Sequence, residues 1–259
     1  MKIIIMISAL VASLVLGLYG GLAKPKPNWW KVLVILAVTG AVLINLLPPL
    51  AIGGNSNAFL AFPYITSLME RVRILNFHVP MAWIAVLSYL ISMVYSVRYL
   101  RKRDIADDIK SSASALLGLV FTILATVTGM LWAKFNWGAY WNWDPRETSI
   151  FILMMIYFAY FALRSAIENE TTRARLSSVY SLLAFATVPF FMFVLPRLTT
   201  GLHPSSGGEG PVTGSGGGFL NSNMQWAFGV SFFAFTMLYF WALNLGFRVK
   251  LLQHNIENQ

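Results

Sequence analysis

Seven stretches of this 259-residue chain are long enough and apolar enough to cross a lipid bilayer, and that feature constrains the fold more than any other. A spanning helix needs about 20 mostly apolar residues. Segments at approximately 3–22, 32–52, 80–100, 112–133, 148–163, 178–196 and 224–247 qualify, although the fifth is short and the first ends in glycines. None alternates with a period of two, and all are too long for strands, so the sequence predicts an all-α membrane protein. Composition agrees. Only 11% of residues are charged and mean hydropathy is +0.65, whereas soluble domains carry about 25% charged residues. No cysteine is present, which excludes disulfides, thiolate metal sites, thiol catalysis and a covalent haem thioether on this chain.

The net charge of +9 could suggest nucleic acid, but its placement argues for topology instead. Thirteen of the 19 basic residues fall on one side, in loops 23–31, 98–111 and 164–177 and in the C-terminal tail. Cytoplasmic loops are the ones enriched in Lys and Arg. Loops 53–79, 134–147 and 197–223 therefore face outward, and the C-terminus is cytoplasmic. The first segment, with Lys2 ahead of an apolar run, has features of a signal peptide. Cleavage would leave Lys24–Lys31 outside, against the charge rule, so an uncleaved helix with its N-terminus outside is the preferred reading.

Six of the twelve residues from 132 to 143 are aromatic: Trp132, Phe135, Trp137, Tyr140, Trp141 and Trp143. An interfacial aromatic belt is the simpler explanation, yet a belt needs only one or two such residues per helix end. If the run is helical, Trp137, Tyr140, Trp141 and Asp144 share a face at i, i+3, i+4 and i+7. That face would offer a flat platform to a planar aromatic ligand. Asp144-Pro145-x-Glu147 also carries the pattern of an N-cap, a first-turn proline and a capping box, which starts the fifth span there.

Three histidines can be weighed one by one. His78 stands at the outward entrance to the third segment, and His203 follows the sixth, also outside. His254 reads as a solvated tail residue. An interfacial histidine is usually only hydrogen-bonded, but two on one face could ligate a haem iron from opposite sides. Arg73 and Arg146, with Arg197 a weaker choice, lie on the side where haem propionates would need cations. Contact with lipid headgroup phosphates explains these arginines equally well. Ser205–Gly218 holds seven glycines in fourteen residues and reads as a flexible loop beside His203.

The run Trp137-Gly138-x-x-Trp141-x-Trp143-Asp144 resembles the WGxxWxWD signature of haem-handling membrane proteins. Phe77-His78-Val79-Pro80-x-Ala82-Trp83 is similar to an element of the CcmC family of cytochrome c maturation proteins, and His203 to that family's second histidine. The resemblance covers about residues 32–247. It implies a six-helix haem-handling core (29–247) with one extra N-terminal transmembrane helix and linker (1–28), seven spans in all, and a cytoplasmic tail (248–259). It further implies non-covalent haem b held between His78 and His203, with Trp132, Trp137, Tyr140, Trp141, Trp143 and Asp144 as its platform. The expected partners are the haem chaperone CcmE, the ABC transporter pair CcmA and CcmB and the small subunit CcmD, in a bacterial inner membrane. Departures exist. The second-histidine loop lacks the paired tryptophans often found before it, and Pro-Arg-Glu-Thr after Asp144 leans toward the sister families CcmF and CcsA.

Two other readings stand beside haem delivery without catalysis. A CcsA-type cytochrome c synthase would carry a further histidine pair within the membrane, as that resemblance implies, and no apolar segment here contains one. A transporter or structural subunit would use the aromatic run only as an anchor. An ion-coupled carrier should place ionisable residues inside its spans, and the segments show none beyond their ends. No nucleophile–histidine–carboxylate set, phosphate loop or histidine cluster for a metal is suggested.

Overall fold

The computed structural model describes residues 2–19, 22, 24–51, 61–63, 69–203 and 222–257. The glycine-rich stretch Ser205–Gly218 lies outside the described residues. The helices are α1 (Lys2–Leu18), α2 (Asn28–Leu46), α3 (Leu75–Lys102), α4 (Ile105–Trp137), α5 (Pro145–Ala166), α6 (Glu170–Pro189), α7 (Leu195–Leu198) and α8 (Ser222–Glu257). A 3-10 turn, Met69–Ile74, leads into α3, and a π turn, Phe190–Val194, joins α6 to α7. Two-residue strands β1 (Leu50–Ala51) and β2 (Phe62–Pro63) pair in parallel.

Among the described residues six helical stretches are long and apolar enough to cross a membrane: α2, α3 with its 3-10 lead-in, α4, α5, α6 through α7, and α8. The seventh expected span, α1, is a shorter apolar helix packed along α8. Gly17 makes this packing possible, because a Cβ there would overlap the Phe240 ring. The most enclosed span is α8. Its sequence is apolar on every side, the pattern of a helix surrounded by others. On α2, Trp30, Val34, Ala41 and Asn45 recur at helical spacing and are buried. Asn45 Nδ2 closes this face by donating to Ser231 Oγ of α8 at 2.7 Å.

Helices α3 and α4 form the most intimate pair. Ser88, Ser92 and Ser96 lie four residues apart on α3 and face Ser111, Ser114 and Gly118 of α4. Small residues of this kind let helix backbones approach closely in lipid. Their hydroxyls bond across the seam, Ser96 to Ser111 at 2.7 Å and Ser114 to the Ser88 carbonyl at 2.6 Å. Gly118 admits the Tyr89 ring, which a Cβ would meet at 2.5 Å. Tyr89 then stacks on Tyr157 of α5 at 3.6 Å between centroids. The seam fixes α3 against α4, and with them the outer ends that carry His78 and the aromatic run.

The loop expected over 98–111 shrinks to Arg103 and Asp104, because Asp104 caps α4 by accepting from the Ala106 amide at 3.0 Å. Asp107 and Asp108 are consequently buried helix residues. Arg164 grips Asp108 with two bonds of 2.7 and 2.8 Å. Asp107 pairs with Arg98 at 3.3 Å and Lys110 at 3.5 Å. Paired in this way, the acids tie α3, α4 and α5 together at one end of the bundle. Nor is His254 merely solvated: its Nδ1 lies 3.0 Å from Glu170 Oε1 and docks the end of α8 at the start of α6.

Candidate functional site

At the opposite end from those ion pairs, α3, α4, α5 and the π turn enclose a cavity of about 950 Å³ including its open mouth. His78, His203, Trp132, Trp137, Trp141, Asp144 and Arg146 all line it. Residues from four separate parts of the chain therefore share one chamber, and its wall is predominantly apolar.

His78 is the fourth residue of α3, in its first turn and two before Pro80. The 3-10 turn ahead of it carries the chain into helix before the proline, so the predicted start at 80 is corrected to 75. The ring is oriented from α4. His78 Nδ1 lies 2.9 Å from the Ala125 carbonyl and 3.1 Å from Thr128 Oγ1. A carbonyl can only accept, so Nδ1 carries the proton and Nε2 keeps its lone pair. Gly129 leaves room for this ring, since a Cβ there would stand 3.0 Å from His78 Cε1. The sequence reading missed Ala125, Thr128 and Gly129, whose only visible signal was a Thr-x-Thr-Gly run inside an apolar span.

The predicted helical face of Trp137, Tyr140, Trp141 and Asp144 does not form. Helix α4 continues to Trp137 and ends at Gly138, which has a φ of 85° and donates its amide N–H to the Lys134 carbonyl at 3.2 Å. This left-handed glycine stop is a common helix terminator, and it turns residues 139–144 into an irregular loop. Trp132 and Trp137 thus belong to α4, Trp141 reaches the cavity from the loop, and two expected platform residues do not line it. Tyr140 is exposed beneath the Lys134 ammonium, 5.4 Å from its ring centroid. Trp143 is 65% exposed with φ 55° and buttresses Trp141 edge-on at 5.7 Å.

Asp144 is an N-cap and more. One carboxylate oxygen accepts from the Arg146 amide at 2.9 Å, and Glu147 completes the capping box. Glu147 Oε2 also accepts from the Asn142 amide at 2.7 Å, shaping the loop that holds Trp141. The second Asp144 oxygen accepts from the Leu202 amide at 2.6 Å. A helix cap on α5 therefore anchors the backbone next to His203. Burial holds the His203 imidazole well below its ordinary pKa, with Arg146 and His78 pushing the same way, so it stays neutral and able to donate a lone pair at pH 7.

The two expected arginines part company. Arg146 lines the cavity. Arg73 instead turns to the end of α2, donating to the Asn45 carbonyl at 3.1 Å and the Pro48 carbonyl at 2.6 Å, pairing with Glu70 and stacking over Phe62. Its position is explained by tethering the chain ahead of α3. Arg197 is exposed outside the cavity lining. Met192 of the π turn and Met130 of α4, which the sequence reading passed over, complete the wall.

The sequence profile of the family described as "Heme exporter protein C" (CcmC) matches residues 22–259, beginning just after α1. A protein of that name from Rhodobacter capsulatus is 33% identical over 169 residues, covering 65% of this chain and 68% of its own length. One from Bradyrhizobium diazoefficiens is 30% identical over 187 residues, covering 72% and 69%. A "Cytochrome c biogenesis protein CcsA" from Arabidopsis thaliana is 32% identical over a shorter 114 residues, 44% of this chain and 34% of that protein. With the family profile spanning all but the first helix, this multi-pass membrane chain belongs to the CcmC family, Heme exporter protein C, of cytochrome c biogenesis.

Proposed function

We propose that the protein binds haem b non-covalently on the outer side of the membrane and hands it to the chaperone CcmE for c-type cytochrome assembly. The observation that carries this reading is the meeting of two neutral imidazoles, three indoles and one enclosed guanidinium in a single apolar cavity. Each part fits a feature of the cargo. Imidazole lone pairs suit ferric or ferrous iron, the indole faces suit a flat macrocycle, and Arg146 suits a propionate. His78, locked in the tautomer with Nε2 free, and His203, kept neutral by burial, are the proposed axial ligands.

In this reading the chain's own residues bind, orient and exclude water, and the energy for release comes from the partners CcmA and CcmB, with CcmD alongside. The excess of basic residues on the Asp107–Arg164 end supports placing that end in the cytoplasm and the cavity at the periplasmic face of a bacterial inner membrane. The unit that handles haem is 29–247, α1 is a seventh, additional span with its linker over 1–28, and 248–259 is a cytoplasmic tail. Synthase chemistry of the CcsA type is the weaker alternative, because the third histidine of this chain docks at the far end of the bundle.

The detergent-purified protein, reconstituted with haemin, should show a Soret band at one haem per chain. Its absence even after co-expression with the partners would overturn the reading. Trp141→Ala should weaken haem retention by about tenfold, on the scale of ~1.4 kcal/mol for a lost ring contact, with the amount of folded protein unchanged. Loss of the protein itself would instead assign Trp141 to the fold, which its packing on Phe151 makes the competing outcome.

A further inference from the structure

We infer that haem enters this cavity sideways from the outer leaflet of the bilayer, through an opening between α3 and the π turn that Trp83 and Phe193 gate. This inference rests on the haem-handling reading above. A second cavity, about 420 Å³ with its open mouth included, lies against the first and shares with it His78, His203, Arg146 and Met192. Its own walls are Trp83 and Val86 of α3 and Phe193 of the π turn. The two histidines thus stand between a mouth walled by the tryptophans and a second opening on the flank of the bundle.

That flank is a lipid-facing one. Trp83, Leu90 and Val94 fall at i, i+7 and i+11 along α3, one helical stripe, and are 43%, 38% and 44% exposed. Phe190 and Val194 expose a matching apolar edge on the π turn. Helices α6 and α8 both pack on α3 but not appreciably on each other, which leaves this part of α3 uncovered among the described residues. Over the opening, Trp83 leans on Phe193 at 5.7 Å between centroids with the rings tilted by 46°. Trp83 also meets Phe232 of α8 edge-on at 6.5 Å, so the gate is held by ring contacts, and rotation of Phe193 widens the passage without breaking one of the hydrogen bonds of the bundle.

The chemistry of the opening selects its occupant. A haem in a leaflet presents an apolar edge of methyl and vinyl groups toward the bilayer centre and its propionates toward the headgroups. Such an edge can slide between Trp83 and Phe193 over Val86 and arrive directly beside the two imidazoles, with Arg146 bordering both chambers to meet a propionate. An approach through water would expose the same edge to solvent and favour aggregation of the free macrocycle.

The test is the rate of Soret-band appearance when phosphatidylcholine vesicles carrying haemin are fused with proteoliposomes of the unloaded protein. Val86→Trp, which fills the side opening and lies outside the main cavity, should slow loading by at least about tenfold while the final spectrum stays that of the wild type. Trp83→Ala should load as fast as the wild type or faster. Should Val86→Trp fail to reach the final spectrum, Val86→Phe gives a smaller plug for the same comparison. Loading at the wild-type rate in the plugged protein, including the case in which a lipid acyl chain proves to occupy the groove, overturns the side route. A wild-type protein with no Soret band under any condition would instead sink the haem-handling reading, so the two failures are separable.

Discussion

Alanine at both His78 and His203 is expected to abolish the Soret band of protein purified with haem, while either single variant shifts the band and weakens retention by at least about tenfold. The pair is expected to behave as one site because both rings line the same two chambers. In the proposed site each ring would be prepared for ligation differently. His78 is held by the Ala125 carbonyl, which keeps the proton on Nδ1. His203 is held neutral by its surroundings, and its neighbour Leu202 by the Asp144 carboxylate. Removing one ring leaves a cavity of its own shape, so added imidazole should restore much of the original spectrum. That rescue separates a lost ligand from a damaged fold. An unchanged amount and spectrum of bound haem in the double variant would refute ligation by these residues.

A comparably large effect is expected from Asp144→Ala, and it should appear in two separate readouts. Losing the cap should cost the start of α5 about 1–2 kcal/mol, as loss of a helix N-cap typically does. The same change strips the exposed Leu202 amide of its partner, and such a hydrogen bond contributes roughly 0.5–1.5 kcal/mol net. The second loss falls on the segment next to His203, so haem should dissociate faster than the change in fold stability alone explains. Asp144→Asn keeps one side-chain oxygen for the cap but cannot accept from both amides, and it should recover stability better than haem retention. Thermal unfolding in detergent, read against the rate of haem transfer to excess apomyoglobin, distinguishes the two effects. Equal losses in both measurements, or haem retention unaffected by the alanine, would reduce Asp144 to a cap alone.

Much of this was already present in local sequence. Hydropathy over 20-residue windows is a property of the segment itself, so six long spans and their order could be read without a structure. The Asp144-Pro145-x-Glu147 box is equally local, since all its partners lie within four residues, and it starts α5 where expected. Helix ends were less legible. The third segment, read as beginning near residue 80, becomes helical at Leu75 after the 3-10 turn, and Gly138 stops α4 in the middle of a run whose spacing would otherwise continue a helix.

The site itself was legible as a set of residue types on one side, not as an arrangement. His78, Trp137, Trp141, Asp144, Arg146 and His203 do meet, whereas Arg73, Tyr140 and Trp143, of the same types and in the same stretches, turn elsewhere. What separates them is contact over long separations in sequence. His78 is aimed by residues 47 and 50 positions away, Arg73 is captured 25 and 28 positions upstream, and Asp144 reaches an amide 58 positions on. Sequence by itself therefore determined that the chain crosses a membrane as helices and carries haem-suited side chains at one face, because hydrophobic burial and capping depend on near neighbours. Only the tertiary structure decided which of those side chains share a cavity, because that depends on how α3, α4, α5 and the π turn pack and on where each polar group finds its distant partner.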